Sequence, residues 1–279
     1  MIILLLNLVV PIVYSFSNGV NLQPSYYNNG NVTFGWNLMH KYSQIKTVRI
    51  EIEPDKVEQA KSWISEAFQN GYEIIATYHN CSILGSDNPN DLINAAHWWV
   101  NNYNTLKQSE DFTINLMNEW GSHDQTAETY ANAYNNAITI IRQVYSNNLI
   151  IDIPGWGQET DIAAAASILI YDQNITLSAH IYPQSWNSVQ QRYIQPSDID
   201  TLYKTNRTIL IGEFGLIGSG NTDVNSVITR AKELNISVIA WAWNGDGGNM
   251  NIITPYWYNN AIATVYSESS YGNTILSML

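Results

Sequence analysis

The 279-residue chain has little positive charge: 12 Lys and Arg stand against 24 Asp and Glu, a net charge of −12. A partner held by neutralising its phosphates needs the opposite balance, which argues against nucleic acid as a ligand. Charge of either sign is scarce, at 13% of residues, so the polar surface falls to Asn, Gln, Ser, Thr and Tyr. Cysteine is almost missing, and Cys81 alone excludes a disulfide framework and any multi-cysteine metal site. The five histidines (His40, His79, His97, His123 and His180) show neither an HExxH motif nor another paired metal spacing. Neither a catalytic metal nor a cofactor is expected. Long apolar runs are also absent, except for Ile2 to Val13, which is too short to span a bilayer needing ~20 residues. With the small residues Ser15 and Ser17 behind it, this run reads as a signal peptide over 1–17. The expectation is a secreted monomer, free of the membrane once the signal is removed, with one domain over 18–279.

What the chain has in quantity is aromatic surface, with 10 Trp and 18 Tyr, beside a rhythm of β-branched runs followed by helical spacing. The strand signals fall at Val32–Asn37, Thr47–Ile52, Glu73–His79, Phe112–Asn118, Leu149–Ile153, Ile175–His180, Thr208–Glu213 and Ser237–Trp243. Helical spacing covers Pro54–Asn70, Asn90–Leu106, Gln125–Ser146, Thr160–Tyr171 and Asp223–Leu234. Asn90 and Asp223 are placed to cap, and Gly71 and Asn235 to terminate. Eight such units without a linker predict an α/β fold, a single-domain (β/α)8 TIM barrel. An open doubly wound sheet would carry a glycine fingerprint after its first strand, and none is present.

In such a barrel the C-terminal strand ends converge on one mouth. Seven of the eight ends here carry polar or large aromatic residues: Arg49, His79, Asn118-Glu119-Trp120, Pro154 to Gln158 with Trp156, His180-Ile181-Tyr182, Gly212-Glu213-Phe214, and Trp241 to Asn244 with Trp243. Glu119 and Glu213 are a pair of acids that can split roles across an apolar mouth, one protonated and one ionised, as glycoside hydrolysis requires. Trp and Tyr faces suit the C–H faces of sugar rings, and Trp186, in the loop after the sixth strand, is a candidate subsite residue. Trp63, Trp98 and Trp99 fall within helices and read as core, and the loop Asn244 to Asn249 reads as a flexible rim.

Phe112–Gly121 (FTINLMNEWG), His180–Tyr182, Ile211–Gly215 (IGEFG) and Ala240–Trp243 resemble the motifs of glycoside hydrolase family 5. Ile150–Glu159 (IIDIPGWGQE) and the WAWNGDGG segment are similar to its bacterial-type β-mannanase branch. The resemblance runs from about Val32 to about Tyr266. It implies a retaining enzyme that cleaves β-1,4-mannosidic bonds in mannan, glucomannan or galactomannan, with Glu119 as acid/base and Glu213 as nucleophile. It implies that Asn118 contacts the substrate 2-hydroxyl, that Arg49 and Tyr182 hold Glu213, and that His79 and His180 flank the cleavage subsite. Arg49 so placed is expected to lower the Glu213 pKa and leave Glu119 as the protonated partner. Trp241 would be the stacking platform, and Trp156 and Trp243 further sugar contacts. Asn80 departs from the pattern, because β-mannanases of this type often carry an acid there. An endo-β-1,4-glucanase on the same scaffold is the nearest alternative, and a catalytically silent carbohydrate-binding barrel the more distant one.

Overall fold

The computed structural model describes residues 16–107 and 111–279, so most of the expected signal segment lies outside the described residues. Eight parallel strands close into a barrel: β1 (Gly19–Leu22), β2 (Thr47–Ile52), β3 (Glu73–Tyr78), β4 (Thr113–Asn115), β5 (Leu149–Asp152), β6 (Ile175–Ile181), β7 (Thr208–Phe214) and β8 (Ser237–Asn244). Each pairs with its neighbours in sequence, and β1 pairs with β8.

The first strand is not the expected one. Val32, Phe34 and Trp36 alternate with polar or small residues and mimic a strand. Gly35, at φ +70°, instead turns the chain into a short helix, Trp36–Met39. The segment forms part of the β1 loop, and its buried Val32 and Phe34 join the core. The true β1 is only four residues long. It begins at Gly19, where a Cβ would sit 1.9 Å from the Thr47 carbonyl oxygen of β2, so only glycine allows the two strands to approach this closely.

The helices lie close to their expected places, at Val57–Gln69, Pro89–Lys107, Ala127–Ile141, Thr160–Ser167 and Val224–Glu233. Asp223 caps as foreseen, accepting the Ser226 N–H. Asn90 does not cap, because Pro89 already opens that helix and its missing N–H costs nothing there. Pro54 likewise lies before its helix rather than in it. Gly71 and Asn235 end their helices in the left-handed region, at φ +79° and +57°. A helix over Pro196–Tyr203, between β6 and β7, had no strong periodic signal; a capping box of Gln195 and Asp198 starts it.

The barrel interior is divided by height. Ile75, Ile150, Leu210 and Ile239 form an apolar floor, with Phe16 packed against it. Above them the inward positions become polar: Asn21, Arg49, Glu51, Thr77, Asn115, Asp152, Ser178 and His180 are all buried. One external helix is tied directly to this mouth. Tyr130 and Tyr134, one turn apart on Ala127–Ile141, donate their hydroxyls to the Asp152 carbonyl at 2.6 and 3.3 Å and fix the end of β5.

Candidate active site

Arg49 organises the mouth. Asn21 and Arg49 are register partners on β1 and β2, and the guanidinium lies wholly inside the barrel. A cation there must be paired, since unpaired charge burial is very costly. NH1 donates to Asn21 Oδ1 (2.9 Å), Glu51 Oε1 (3.1 Å) and Glu213 Oε1 (2.9 Å). NH2 donates to Asn115 Oδ1 (2.9 Å) and Asn118 Oδ1 (2.5 Å), and Asp152 Oδ2 lies 3.7 Å away. The planar donor fork thus fixes three amides and three acids at once.

Glu213, near the end of β7, receives Arg49 on one oxygen and the Tyr182 hydroxyl on the other, at 2.7 Å. Both groups are donors, so the geometry is built for a carboxylate. The expected lowering of its pKa is not found. The Glu213 carboxyl is instead raised to about 7: burial, with Glu119 and Glu51 adding to it, outweighs the lowering by His180 and Arg49. The sequence revealed the arginine but neither the depth of the site nor the extra acid Glu51. Tyr182 is raised well above the usual tyrosine value by burial and by Glu213, so it stays protonated and keeps donating.

Glu119 stands opposite, after β4. Its side chain is 15% exposed and meets His180 Nδ1 at 2.9 Å. His180 also lies 3.4 Å from Glu213 Oε1, so one imidazole touches both acids. A register shift between Ala179 and His180 brings His180 level with Glu213 on the neighbouring strand. Burial alone would lower the His180 pKa, but Glu213 and Asp152 raise it well above its ordinary value, which favours the charged ring.

His79 sits deeper than a simple sugar contact would. Its Nδ1 lies 3.0 Å from Glu53 Oε1 and 2.8 Å from the Tyr26 hydroxyl, and its Nε2 lies 3.4 Å from Glu51 Oε2. Burial opposes the charge on this ring, but Glu51 and Glu53 raise its pKa, so His79 serves as the cation between two carboxylates. Glu53 also accepts the Cys81 N–H at 3.0 Å and the Tyr26 hydroxyl. A carboxylate on the β2 loop therefore serves His79 where Asn80 has none to offer.

The aromatic residues divide into two groups. Trp241 packs with Tyr182, Ala242 and Met250 at the mouth, its indole N–H held by Asp246 at 3.0 Å. Asp246 also accepts the N–H groups of Gly248 and Met250, so the loop expected to be a free rim is tied to itself. Trp156 lies on the loop after β5, itself at φ +55° between Gly155 and Gly157, which are also left-handed. Its ring lies so close to Gly85 that a Cβ there would be 2.2 Å from it. Trp186, half-buried, stands edge-on to Tyr193 with ring centroids 5.2 Å apart, on the ribbon Trp186–Asn187/Arg192–Tyr193. Trp243 must be removed from the set of sugar contacts. It is completely buried, and its indole donates to the Phe34 carbonyl at 2.7 Å, under the β1 loop that had been read as a strand. Trp63 and Trp99 are core as expected, and Trp98 is partly buried against it.

The network thus joins Arg49, Asn118, Glu119, His180, Tyr182 and Glu213 directly, with His79 linked through Glu51. Sequence reasoning passed over Asn21, Glu51, Glu53, Asn115, Asp152 and Tyr26. For Asn21, Glu51, Asn115 and Asp152 a signal was present: each is a polar residue inside a largely apolar strand segment (VNL, VRIEI, TIN, LIID). Such a position on a strand buried on both faces needs a partner inside. Glu119, His180 and Glu213 also place ligand atoms within 4.8 Å of one another, close enough to share a metal ion.

The sequence profile described as "Cellulase (glycosyl hydrolase family 5)" matches residues 27–247, and the chain belongs to that family. A mannan endo-1,4-beta-mannosidase of Cellvibrio japonicus (strain Ueda107) is 24% identical over 233 residues, covering 78% of this chain and 51% of its own length. A second, from Streptomyces lividans, is 26% identical over 205 residues, covering 70% and 52%. The chain therefore spans about half the length of these curated relatives. The structure of a beta-mannanase from Streptomyces thermolilacinus with mannohexaose shares the fold, with a TM-score of 0.75 at 20% identity over 94% of this chain and 87% of that one.

Proposed function

We propose that this family 5 chain is a secreted, monomeric, cofactor-free endo-β-1,4-mannanase that works with retention of configuration on mannan, glucomannan or galactomannan. The observation that carries the reading is the spacing of the two acids. Carboxylate oxygens of Glu119 and Glu213 lie within 4.8 Å of each other. Retaining glycosidases hold their acids about 5–5.5 Å apart, whereas inverting ones leave ~6.5–9.5 Å for a water.

Glu213, gripped by Arg49 and Tyr182, attacks the anomeric carbon while Glu119 passes its proton to the departing glycosidic oxygen. The C1–O bond breaks and a glycosyl ester forms on Glu213. Glu119, now a carboxylate, takes a proton from water as that water attacks C1 and frees Glu213. Arg49 orients the Asn118 amide by binding its oxygen, which turns the NH2 group away from the guanidinium toward a sugar hydroxyl. The two curated relatives described above, both named for mannan, support mannan over glucan. The scarcity of surface charge suits a neutral polysaccharide. Among the described residues no helix is long and apolar enough to cross a membrane.

The test is reducing-sugar release from galactomannan and from carboxymethyl cellulose, side by side. Release from galactomannan at a rate at least tenfold higher is the expected result. Release confined to the cellulose derivative would transfer the same mechanism to a glucanase.

A further inference from the structure

Asp152 ends β5 and has no part in the chemistry just described, yet it is wholly buried at the centre of the site. Its Oδ2 accepts the backbone N–H of Glu119 at 2.9 Å and lies 3.4 Å from His180 Nε2 and 3.7 Å from Arg49 NH2. Its Oδ1 accepts the Asn115 amide at 3.1 Å. Burial would raise this carboxyl, but His180, Arg49 and the Glu119 N–H outweigh it and hold it at about 2, so it is ionised throughout the working range. The residue it grips is unusual: Glu119 has φ +50°, a left-handed conformation that is unfavourable for a residue with a Cβ. Such a conformation persists only where the surroundings impose it. Two contacts do so here, the Asp152 oxygen on the N–H and the Gly85 N–H on the Glu119 carbonyl at 2.8 Å.

We propose that Asp152 is the positioning residue for the acid/base: one oxygen, Oδ2, holds the strained backbone N–H of Glu119 and also lies against His180, whose other ring nitrogen meets the Glu119 carboxyl. The inference rests on the reading of Glu119 as acid/base. One carboxylate thereby controls both the main chain and the imidazole contact of the acid, while Tyr130 and Tyr134 lock the carbonyl of the same residue to the outer helix. A displacement of about 1 Å at a reacting group costs ~10²-fold in rate. Loss of Asp152 should therefore act as a partial loss of acid catalysis, not as a loss of binding.

The experiment compares Asp152→Ala, Asp152→Asn and Glu119→Gln on galactomannan and on an aryl β-mannoside with an activated leaving group. Asp152→Ala is expected to lower kcat on the polymer ~10²-fold with KM nearly unchanged, and to lower the first step on the aryl substrate less than ~5-fold. Asp152→Asn, which keeps an acceptor oxygen for the Glu119 N–H, should show the same split with a smaller loss, and it reports on the proposal if the alanine variant does not fold. Equal losses on both substrates in the Asp152 variants, with a split retained in Glu119→Gln, would reduce Asp152 to a structural residue and overturn the proposal. Equal losses in Glu119→Gln itself would instead remove the acid/base reading, and the inference with it.

Discussion

Glu213→Ala is expected to lower turnover of galactomannan by ~10⁴–10⁶-fold, the scale seen when a covalent nucleophile is removed, while binding of the polysaccharide stays within a few-fold of wild type. The reason is local. Glu213 is the acid that Arg49 and Tyr182 both address as donors, and no other carboxylate can take its place: Glu51 is held by Arg49 and Gln23, and Asp152 by Asn115 and the Glu119 N–H. The same residue predicts a pH signature. Burial lifts its carboxyl above the ordinary range, and the nucleophile must be ionised to attack. The acid limb of kcat/KM, which reports the free enzyme, should therefore lie well above the usual glutamate value of ~4.3, with activity falling as pH drops through it. Initial-rate measurements on purified wild type and variant, with affinity electrophoresis for binding, check both parts. Turnover surviving in Glu213→Ala would end the nucleophile assignment.

The second large effect is selective. Glu119→Gln should lower the rate on galactomannan by ~10²–10⁴-fold, because the sugar leaving group depends on the proton that Glu119 supplies. An aryl β-mannoside with an acidic phenol leaves without that help, so its first step should be little affected and a glycosyl-enzyme should accumulate as a burst of phenol. Gln keeps the shape of the side chain and can still meet His180 Nδ1, so the loss reports the proton and not the packing. Stopped-flow release of the phenol checks it. A uniform fall on both substrates would contradict the acid/base role.

The sequence carried the site more fully than the chain path around it. Strand ends were legible because parallel strands buried on both faces read as apolar runs, so Glu119, His180 and Glu213 stood out as interruptions. β1 was not legible: Gly19–Leu22 is four residues long and follows the signal-like stretch, while the loop around Phe34 mimics its alternation. That error also exposed Trp243 to a wrong role, since only the true path of the β1 loop covers it. Glu51 and Asp152 also interrupted apolar strands, but that signal did not give their role. Each lies within a strand, and its importance depends on which residues face it across the barrel, a relation set by closure and stagger that no local window contains. The sign of the Glu213 shift failed on the same ground, because burial and Glu51 are properties of the assembled mouth.

A retaining cut between Glu119 and Glu213 leaves its mark on the configuration of the first product. Proton NMR during the opening minutes of mannohexaose hydrolysis distinguishes the anomers before mutarotation mixes them. The β-anomer of the newly formed reducing end is expected first, with the α-anomer growing in later. An α-anomer appearing first would mean direct displacement by water, which a pair of acids this close has no room for, and would contradict the mechanism.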